Sequence, residues 1–332
     1  MDTGRQSCFA CTRVRKLTYE HVIPQALGGK LRAKIYCEEC NVTFGKTIDS
    51  ELSIHLGRFA TILNLKRERG DPQPFDVEEL RNNIALVFNG KGFRRKDPEV
   101  KVKLKQDGKT VKSLDVTARS KKELDKIVAS VQNKYNVPGN TKTFYEDHPG
   151  PTDTRYDFVF DNDLIRRGVA KIAYSFMCLK LPRDLVFSDS FATIRHYIVD
   201  SMGSDLASPN FRHTQFMTDY VRPLHKIHVS LNRQEKIVIG FVMLFGIFPY
   251  TILLCSDLNS SLQWPGLDYT FDPVSSKAVS GNPHFRAPDL NKAEILNPRQ
   301  SKRLVIEELS RGHKILESYA NDYKFLGIEK GV

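Results

Sequence analysis

The sequence of 332 residues lacks an amino-terminal apolar segment, internal repeats and low-complexity tracts. Its first residues, MDTGRQSCFAC, place no apolar core behind a basic start, so we expect no secretory signal and a cytoplasmic protein. One long uncharged run occurs, IVIGFVMLFGIFPYTILLC at residues 237–255, and glycines and a proline interrupt it. These breaks, with many β-branched and aromatic residues, predict two short buried strands with a turn near residues 246–249. The alternative is a membrane span, which would make the protein membrane-associated.

Acidic residues are fewer than basic ones, 39 against 50, which gives a net charge of +11 and an isoelectric point near 9.3. An excess of this size indicates a polyanionic partner, either nucleic acid or an anionic membrane surface, and charge alone does not choose between them. With 40% hydrophobic and 27% charged residues, the composition is that of a soluble globular protein with two or three domains.

Four of the six cysteines form two tight pairs, Cys8/Cys11 and Cys37/Cys40, separated by 25 residues. Without a secretory signal, paired cysteines are typical of metal ligands rather than disulfides. Four thiolates in two Cys-x-x-Cys turns predict a tetrahedral zinc site with no open position, and therefore a structural one. A segment of about fifty residues also has too small a core to fold without such support. The alternative is four buried free cysteines.

The segment between and after the cysteine pairs contains Glu20-His21-x-Ile-Pro, then Gly28-Gly29, then Asn41 directly after the last cysteine. In this order and spacing, residues 8–52 resemble the HNH endonucleases, whose fold is the ββα-metal unit. The resemblance is closest to the zinc-stapled branch of that family. It departs from the family pattern at two points: the middle Asn has no counterpart, and the final His is Asn41.

The resemblance implies a role for each matching residue. His21 corresponds to the general base that activates water, while Glu20 and Asn41 correspond to the ligands of a catalytic divalent cation. Phosphodiester hydrolysis needs both an activated water and a cation that neutralises the phosphate. An oxygen-only ligand pair suits Mg²⁺ or Mn²⁺. The alternative is a Glu-His pair that merely packs or is solvated beside the zinc.

Breaks in composition predict an α+β protein with three segments: an HNH unit at residues 1–56, a basic connecting region with helix, hairpin and helix at 57–150, and a carboxy-terminal α+β recognition or regulatory domain at 151–332. Residues 91–126 hold thirteen Lys or Arg against six acidic residues. Alternation of Val100 to Lys105, followed by Asp-Gly, predicts a hairpin with a basic face. We expect it to contact DNA phosphates, with a solvated charged hairpin as the alternative. The residues predicted to bind DNA are Lys101, Lys103, Lys105, Arg94 and Arg95.

Taken together, these patterns predict a metal-dependent DNA endonuclease with a structural Zn²⁺ and a catalytic Mg²⁺ or Mn²⁺. A restriction or anti-phage defence enzyme is the first interpretation, and a homing or mobile-element nuclease is the second. A zinc-dependent nucleic-acid-binding protein with a decayed nuclease site is the alternative from another class. One active site in each chain nicks one strand, so cutting both strands requires a homodimer or two successive events.

Overall fold

The computed structural model describes residues 5–68, 70–81, 83–138, 151, 153–200, 205–213, 222–258, 266–279 and 290–319. The chain divides into two compact units. Among the described residues, unit 1 takes those up to Gln73 and those from Phe158 onward, and unit 2 takes residues 74–157. Unit 1 is therefore discontinuous in sequence. The division into three domains stays a prediction about segments that fold independently.

Both units mix helices and strands, which confirms the predicted α+β class. Unit 1 begins with β1 (Arg5–Ser7), β2 (Val14–His21), β3 (Arg32–Cys37), α1 (Glu38–Lys46), α2 (Ile48–His55) and α3 (Gly57–Ile62). Unit 2 has β4 (Phe75–Glu79), β5 (Ile84–Phe88), β6 (Phe93–Arg95), β7 (Glu99–Leu104), β8 (Val111–Thr117), α4 (Lys121–Lys134) and β9 (Thr154–Arg155). Unit 1 resumes with α5 (Asp163–Lys180), α6 (Arg183–Phe187), α7 (Ala192–Asp200), β10 (Ala207–Pro209), β11 (His225–Asn232), β12 (Ile237–Leu244), β13 (Phe248–Cys255), β14 (Leu267–Asp272), β15 (Lys277–Val279), α8 (Lys292–Leu296) and α9 (Lys302–Tyr319).

The first part of unit 1 is a three-stranded antiparallel sheet, in the order β1-β2-β3, followed directly by three short helices. The loop between β2 and β3 turns at Gly28, whose φ of 89° is in the left-handed region that favours glycine. Gly29 lies so close to the backbone that an added Cβ would be 2.0 Å from the carbonyl oxygen of Ile23. The Gly-Gly pair therefore fixes the loop that follows the predicted catalytic histidine.

The second part of unit 1 is built on a six-stranded antiparallel sheet in the order β10-β13-β12-β11-β14-β15. The apolar run at residues 237–255 forms β12 and β13, and every residue of both strands is buried. This confirms the two predicted buried strands, but the turn lies at Phe245 and Gly246, and Pro249 belongs to β13. No helix in the part of the chain that the structure describes is long and apolar enough to cross a membrane.

Unit 2 contains a four-stranded sheet, β6-β5-β4-β9, and the separate hairpin β7-β8. The hairpin turns at the predicted Asp-Gly: the Asp107 carboxylate accepts bonds from the backbone N–H of Lys109 and Thr110, and Gly108 has a φ of 66°. Helix α4 follows, and its N-cap Ser120 accepts a bond from the backbone N–H of Glu123. In unit 1, apolar residues at helical spacing predict one helix over residues 51–66. The structure has instead the end of α2 and then α3, with a break between them at Leu56.

The aromatic-rich residues 156–160 predict a strand, and this prediction is wrong, because the structure has no strand there. The rings of Phe158 and Phe160 instead pack on Phe248, with centroids 5.8 and 6.2 Å away. Turn-forming residues predict a linker at residues 136–151, and helical spacing predicts a last helix at residues 301–326. Most of that linker, and the part of that helix beyond Tyr319, lie outside the described residues.

Candidate active site

The four cysteines predicted to bind zinc come together at one end of the three-stranded sheet. Their sulfur atoms all lie within 4.8 Å of one another, and the Sγ atoms of Cys11 and Cys37 are 3.8 Å apart. A tetrahedron with Zn–S bonds of about 2.3 Å places its sulfurs about 3.8 Å apart, so the cluster fits zinc. The backbone N–H of Cys37 donates to the Cys8 Sγ. A hydrogen bond with Cys40 lowers the pKa of the Cys8 thiol to about 5, as suits a thiolate ligand.

His21 ends β2, and its Nε2 is buried without a hydrogen-bond partner among the described residues. The nearest acid, Glu68, has its Oε1 4.0 Å from that nitrogen. Burial lowers the pKa of His21 below its ordinary value, against an opposing contribution from Glu68, so the imidazole is neutral near pH 7. A neutral imidazole with an unbonded nitrogen can accept a proton from a bound water.

Asn41 lies in the first half of α1, and its side chain is fixed in one orientation. Its Nδ2 donates to the Thr18 hydroxyl and to the backbone carbonyl of Tyr19. Because that carbonyl can only accept, the amide nitrogen must face β2 and the oxygen must face away. The Oδ1 is buried and has no hydrogen-bond partner in the described part of the chain. An orphaned amide oxygen of this kind suits a hard divalent cation.

Glu20 points to the opposite face of β2 from His21, as expected for successive strand residues. Its Oε1 accepts a hydrogen bond from the ammonium of Lys171, on α5. The same ammonium donates to both oxygens of Asp49, at 2.8 and 2.6 Å. The position of Asp49, about two helical turns after Asn41, predicts a local cap or salt bridge, but the structure binds it to a residue 122 positions away. Glu20 Oε2 makes no hydrogen bond with the described residues.

Residues 6–57 match the model of a known family, described as HNH endonuclease. The chain carries an amino-terminal HNH domain. No curated protein and no solved structure matches the chain significantly. The match covers the cysteine cluster, Glu20, His21 and Asn41, and it ends before α5, so the family says nothing about Lys171.

Helix α5 is the main support of the HNH domain within unit 1. The Tyr36 hydroxyl shares a hydrogen bond of 2.8 Å with Ser175 Oγ, and the Tyr174 hydroxyl donates to the carbonyl of Phe9 in the first cysteine turn. Gly168 of α5 meets Leu52 of α2 so closely that an added Cβ would lie 2.5 Å from it. The domain is therefore continuous in packing with the carboxy-terminal part of unit 1.

Lys171 is the charged centre of this contact, and only 1% of its side chain is exposed. Burial by itself lowers the pKa of an ammonium, but the carboxylates of Asp49 and Glu20 outweigh that effect and raise the pKa of Lys171. The ammonium is therefore charged, and it neutralises one of two acidic groups held close together. With both carboxylates ionised, the three groups carry one net negative charge, which favours a further cation. Burial acts against that ionisation, because it raises the pKa of Glu20 more than the charge of Lys171 lowers it.

We expect Lys171→Met to destabilise unit 1 by about 3–5 kcal/mol, because it leaves two buried carboxylates without their counter-ion. Urea unfolding followed by circular dichroism measures the change. The matched control combines Lys171→Met with Glu20→Gln and Asp49→Asn, which removes the uncompensated charge and should recover most of the loss. Equal stability of Lys171→Met and the wild type would show that the ammonium is not the counter-ion.

The five residues predicted to bind DNA all belong to unit 2, and two of them are already paired. Glu99 binds both Lys101, at 2.7 Å, and Arg95, at 2.9 Å. Arg94, Lys103 and Lys105 make no ion pair within the described residues. The predicted row of three lysines is also interrupted: the register shifts between Lys103 and Leu104, and Lys105 follows the end of β7. The regular strand thus presents Lys101 and Lys103 only.

Proposed function

We propose that this protein is a metal-dependent endonuclease that hydrolyses phosphodiester bonds in DNA. The observation that carries the proposal is His21: within the matched HNH segment, it holds a neutral imidazole with a buried, unbonded Nε2 at the end of β2. A nuclease needs such a nitrogen to take the proton of the attacking water. A buried histidine in a packing role usually has both nitrogens hydrogen-bonded. The Nδ1 of His55 is also buried without a partner, so what distinguishes His21 is its position directly after Glu20 in the matched HNH segment.

Three residues of the matched HNH segment divide the work. His21 orients the water and accepts its proton at Nε2. Asn41 Oδ1 and the unbonded oxygen of Glu20 are the atoms that would hold Mg²⁺ or Mn²⁺. When bound, that cation neutralises the charge that develops on the phosphate and on the leaving oxygen. Lys171 positions Glu20 by holding its other oxygen.

The test is nicking of a supercoiled plasmid by the purified full chain. A chelator would also remove the structural zinc, so the divalent cation should be omitted by dialysis and then added back as Mg²⁺, Mn²⁺ or Ca²⁺. We expect nicking with Mg²⁺ or Mn²⁺ only. Asn41→Ala should need a higher cation concentration for the same rate, because it removes one ligand of the cation rather than the base. If the protein fails to cut with any of these cations, the result would favour the alternative of a zinc-dependent nucleic-acid-binding protein with a decayed nuclease site.

For the biological setting we propose restriction or anti-phage defence in the cytoplasm, with a homing or mobile-element nuclease as the second candidate. The support is the large carboxy-terminal part of unit 1, which exceeds what cleavage requires and suits a recognition role. A homodimer would supply the second site needed to cut both strands. Digestion of modified and unmodified DNA, with the cut ends sequenced, separates the settings, because a defence enzyme should discriminate between the two.

We further propose that the β7–β8 hairpin of unit 2 holds DNA through the lysines that lack a carboxylate partner. The double variant Lys103→Gln/Lys105→Gln should weaken binding equally for every DNA sequence. The slope of log K against log salt should become shallower by up to about 1.8, since each phosphate contact contributes about 0.9.

Lys101→Gln is the matched control, because the Glu99 carboxylate already neutralises this lysine. We expect it to change the salt slope much less than the double variant does. Binding should be measured by fluorescence anisotropy with Ca²⁺ in place of Mg²⁺. If the double variant keeps the wild-type slope, these lysines face solvent and DNA is held elsewhere.

A further inference from the structure

Tyr19 is a tyrosine on the surface of the HNH domain with 64% of its area exposed. Among the strongly exposed large apolar residues in the described part of the chain, it is the most exposed and the one aromatic. It neighbours Glu20 in β2 and precedes His21 by two positions. An aromatic ring left in water beside a proposed catalytic histidine needs a physical explanation, since burying it elsewhere would be favourable.

The register of the sheet places Tyr19 on the same face as His21. Tyr19 pairs with Lys34 of β3, and His21 pairs with Arg32. The intervening pair, Glu20 with Ala33, points the other way; Ala33 is buried and Glu20 is half-buried. The shift in register comes before Tyr19, so alternation holds across all three pairs. Tyr19, His21, Arg32 and Lys34 thus share one face of the β2–β3 hairpin, which we call the hairpin face.

Two cations are gathered at the ring of Tyr19. The ammonium of Lys34 is 4.9 Å from the ring centroid, and the guanidinium of Arg32 is 5.7 Å from it. Both side chains are exposed, and neither forms an ion pair with the residues that the structure describes. The nearby Glu68 instead pairs with Lys30, at 3.7 Å. The hairpin face is therefore positive and aromatic together, which matches a phosphate backbone with an accessible base.

We propose that the hairpin face binds a nucleic-acid strand in which an unpaired base stacks on Tyr19, next to the phosphate that reaches His21. The proposal rests on the proposed nuclease function and adds the class of substrate. In a duplex the faces of each base are covered by its neighbours, so a ring can stack only where a base is unstacked. Arg32 and Lys34 contact the phosphates on either side of that base. The expected substrate is thus a single-stranded, branched or base-flipped site rather than an intact duplex.

The test uses the full chain with His21→Ala, so that the DNA is bound but not cut. A single-stranded oligonucleotide carrying 2-aminopurine reports stacking, because its fluorescence falls when the base stacks. We expect Tyr19→Leu to weaken binding of this strand by about 5- to 150-fold, since one base–aromatic stack accounts for roughly that factor. The quenching should be lost as well. Tyr19→Phe keeps the ring and should keep both affinity and quenching.

Two controls make the result specific. Ile54→Ala removes another exposed apolar side chain of the HNH domain, 52% exposed on α2, and should change neither readout. The same oligonucleotide annealed to its complement should bind with little dependence on Tyr19. If Tyr19→Leu binds the single strand as tightly as its parent, or weakens the duplex to the same degree, the ring does not stack on an unpaired base and the proposal is wrong.

Separate experiments test the stacking of a base on Tyr19 and the proposed nuclease function, so either can fail without the other. Nicking by the chain with His21 intact tests the nuclease, and the binding series tests Tyr19. A chain that cuts but shows no Tyr19 effect overturns the stacking proposal alone. If the chain never cuts but Tyr19→Leu still abolishes the quenching, the hairpin face is a nucleic-acid-binding surface and the proposed nuclease function is wrong.

Discussion

The His21→Ala variant is expected to nick plasmid DNA about 10²–10⁴-fold more slowly than the wild type, the usual contribution of a general base. Its affinity for DNA should remain unchanged, because the imidazole is neutral near pH 7 and contributes no positive charge to the contact. Single-turnover cleavage at saturating enzyme measures the rate, and anisotropy measures the affinity.

His55 provides a matched control for this loss. It lies in the same HNH domain, and its side chain is 20% exposed compared with 22% for His21. Its Nε2 lies 3.3 Å from Glu51 and it has no role in the proposed mechanism, so His55→Ala should cut at the wild-type rate. If His21→Ala also cuts at that rate, the base has been assigned to the wrong residue. If both variants fail, the loss reflects damage to the fold, which circular dichroism would reveal.

The Cys37→Ser variant is expected to lose its zinc and, with it, the folded HNH domain. Structural zinc supplies about 10–16 kcal/mol of apparent binding free energy in small zinc-stabilised segments, and three remaining ligands hold the metal poorly. Elemental analysis should find about one zinc per wild-type chain and much less in the variant. Limited proteolysis should then cut within residues 5–57, which resist cleavage in the wild type.

Cys178→Ala is the control for the zinc prediction, because Cys178 is also buried but lies on α5, outside the cluster. It should keep the metal and lose only the modest stability of a small core side chain. A zinc-free preparation that melts normally and cuts DNA at the full rate would rule out a structural metal.

The parts of the site that could be predicted from sequence are those encoded by short spacing. The two Cys-x-x-Cys pairs and the order of Glu20, His21 and Asn41 are local, so pattern alone located the zinc cluster and the matched segment. Whether Glu20 and Asn41 hold a cation stays a prediction. The partner of Glu20 was missed because it lies 151 residues away, and no local periodicity reports such a contact.

A signal for Lys171 was nevertheless present. Residues 168–178, GVAKIAYSFMC, contain a single charge, and a helix that is apolar all round is buried. A lone lysine in the middle of a buried helix must meet a carboxylate. The signal predicts an acidic partner but not which one, since several acids precede it. By contrast, the strand predicted at residues 156–160 is wrong, because aromatic rings can pack against a core without a strand ladder.

The discontinuity of unit 1 has a consequence during synthesis on the ribosome. The HNH domain emerges first, while Lys171, Tyr174 and Ser175 follow about 100 residues after Gln73. At about 5–20 residues per second, that delay is roughly 5–20 s. During this delay, the apolar side chains of α2 that α5 will later cover are exposed to solvent. Glu20 and Asp49 also lack the counter-ion that Lys171 will supply. Zinc capture by the four cysteines needs only residues already made. A metal bound by the four cysteines would therefore stabilise the HNH domain until Lys171 has been synthesised.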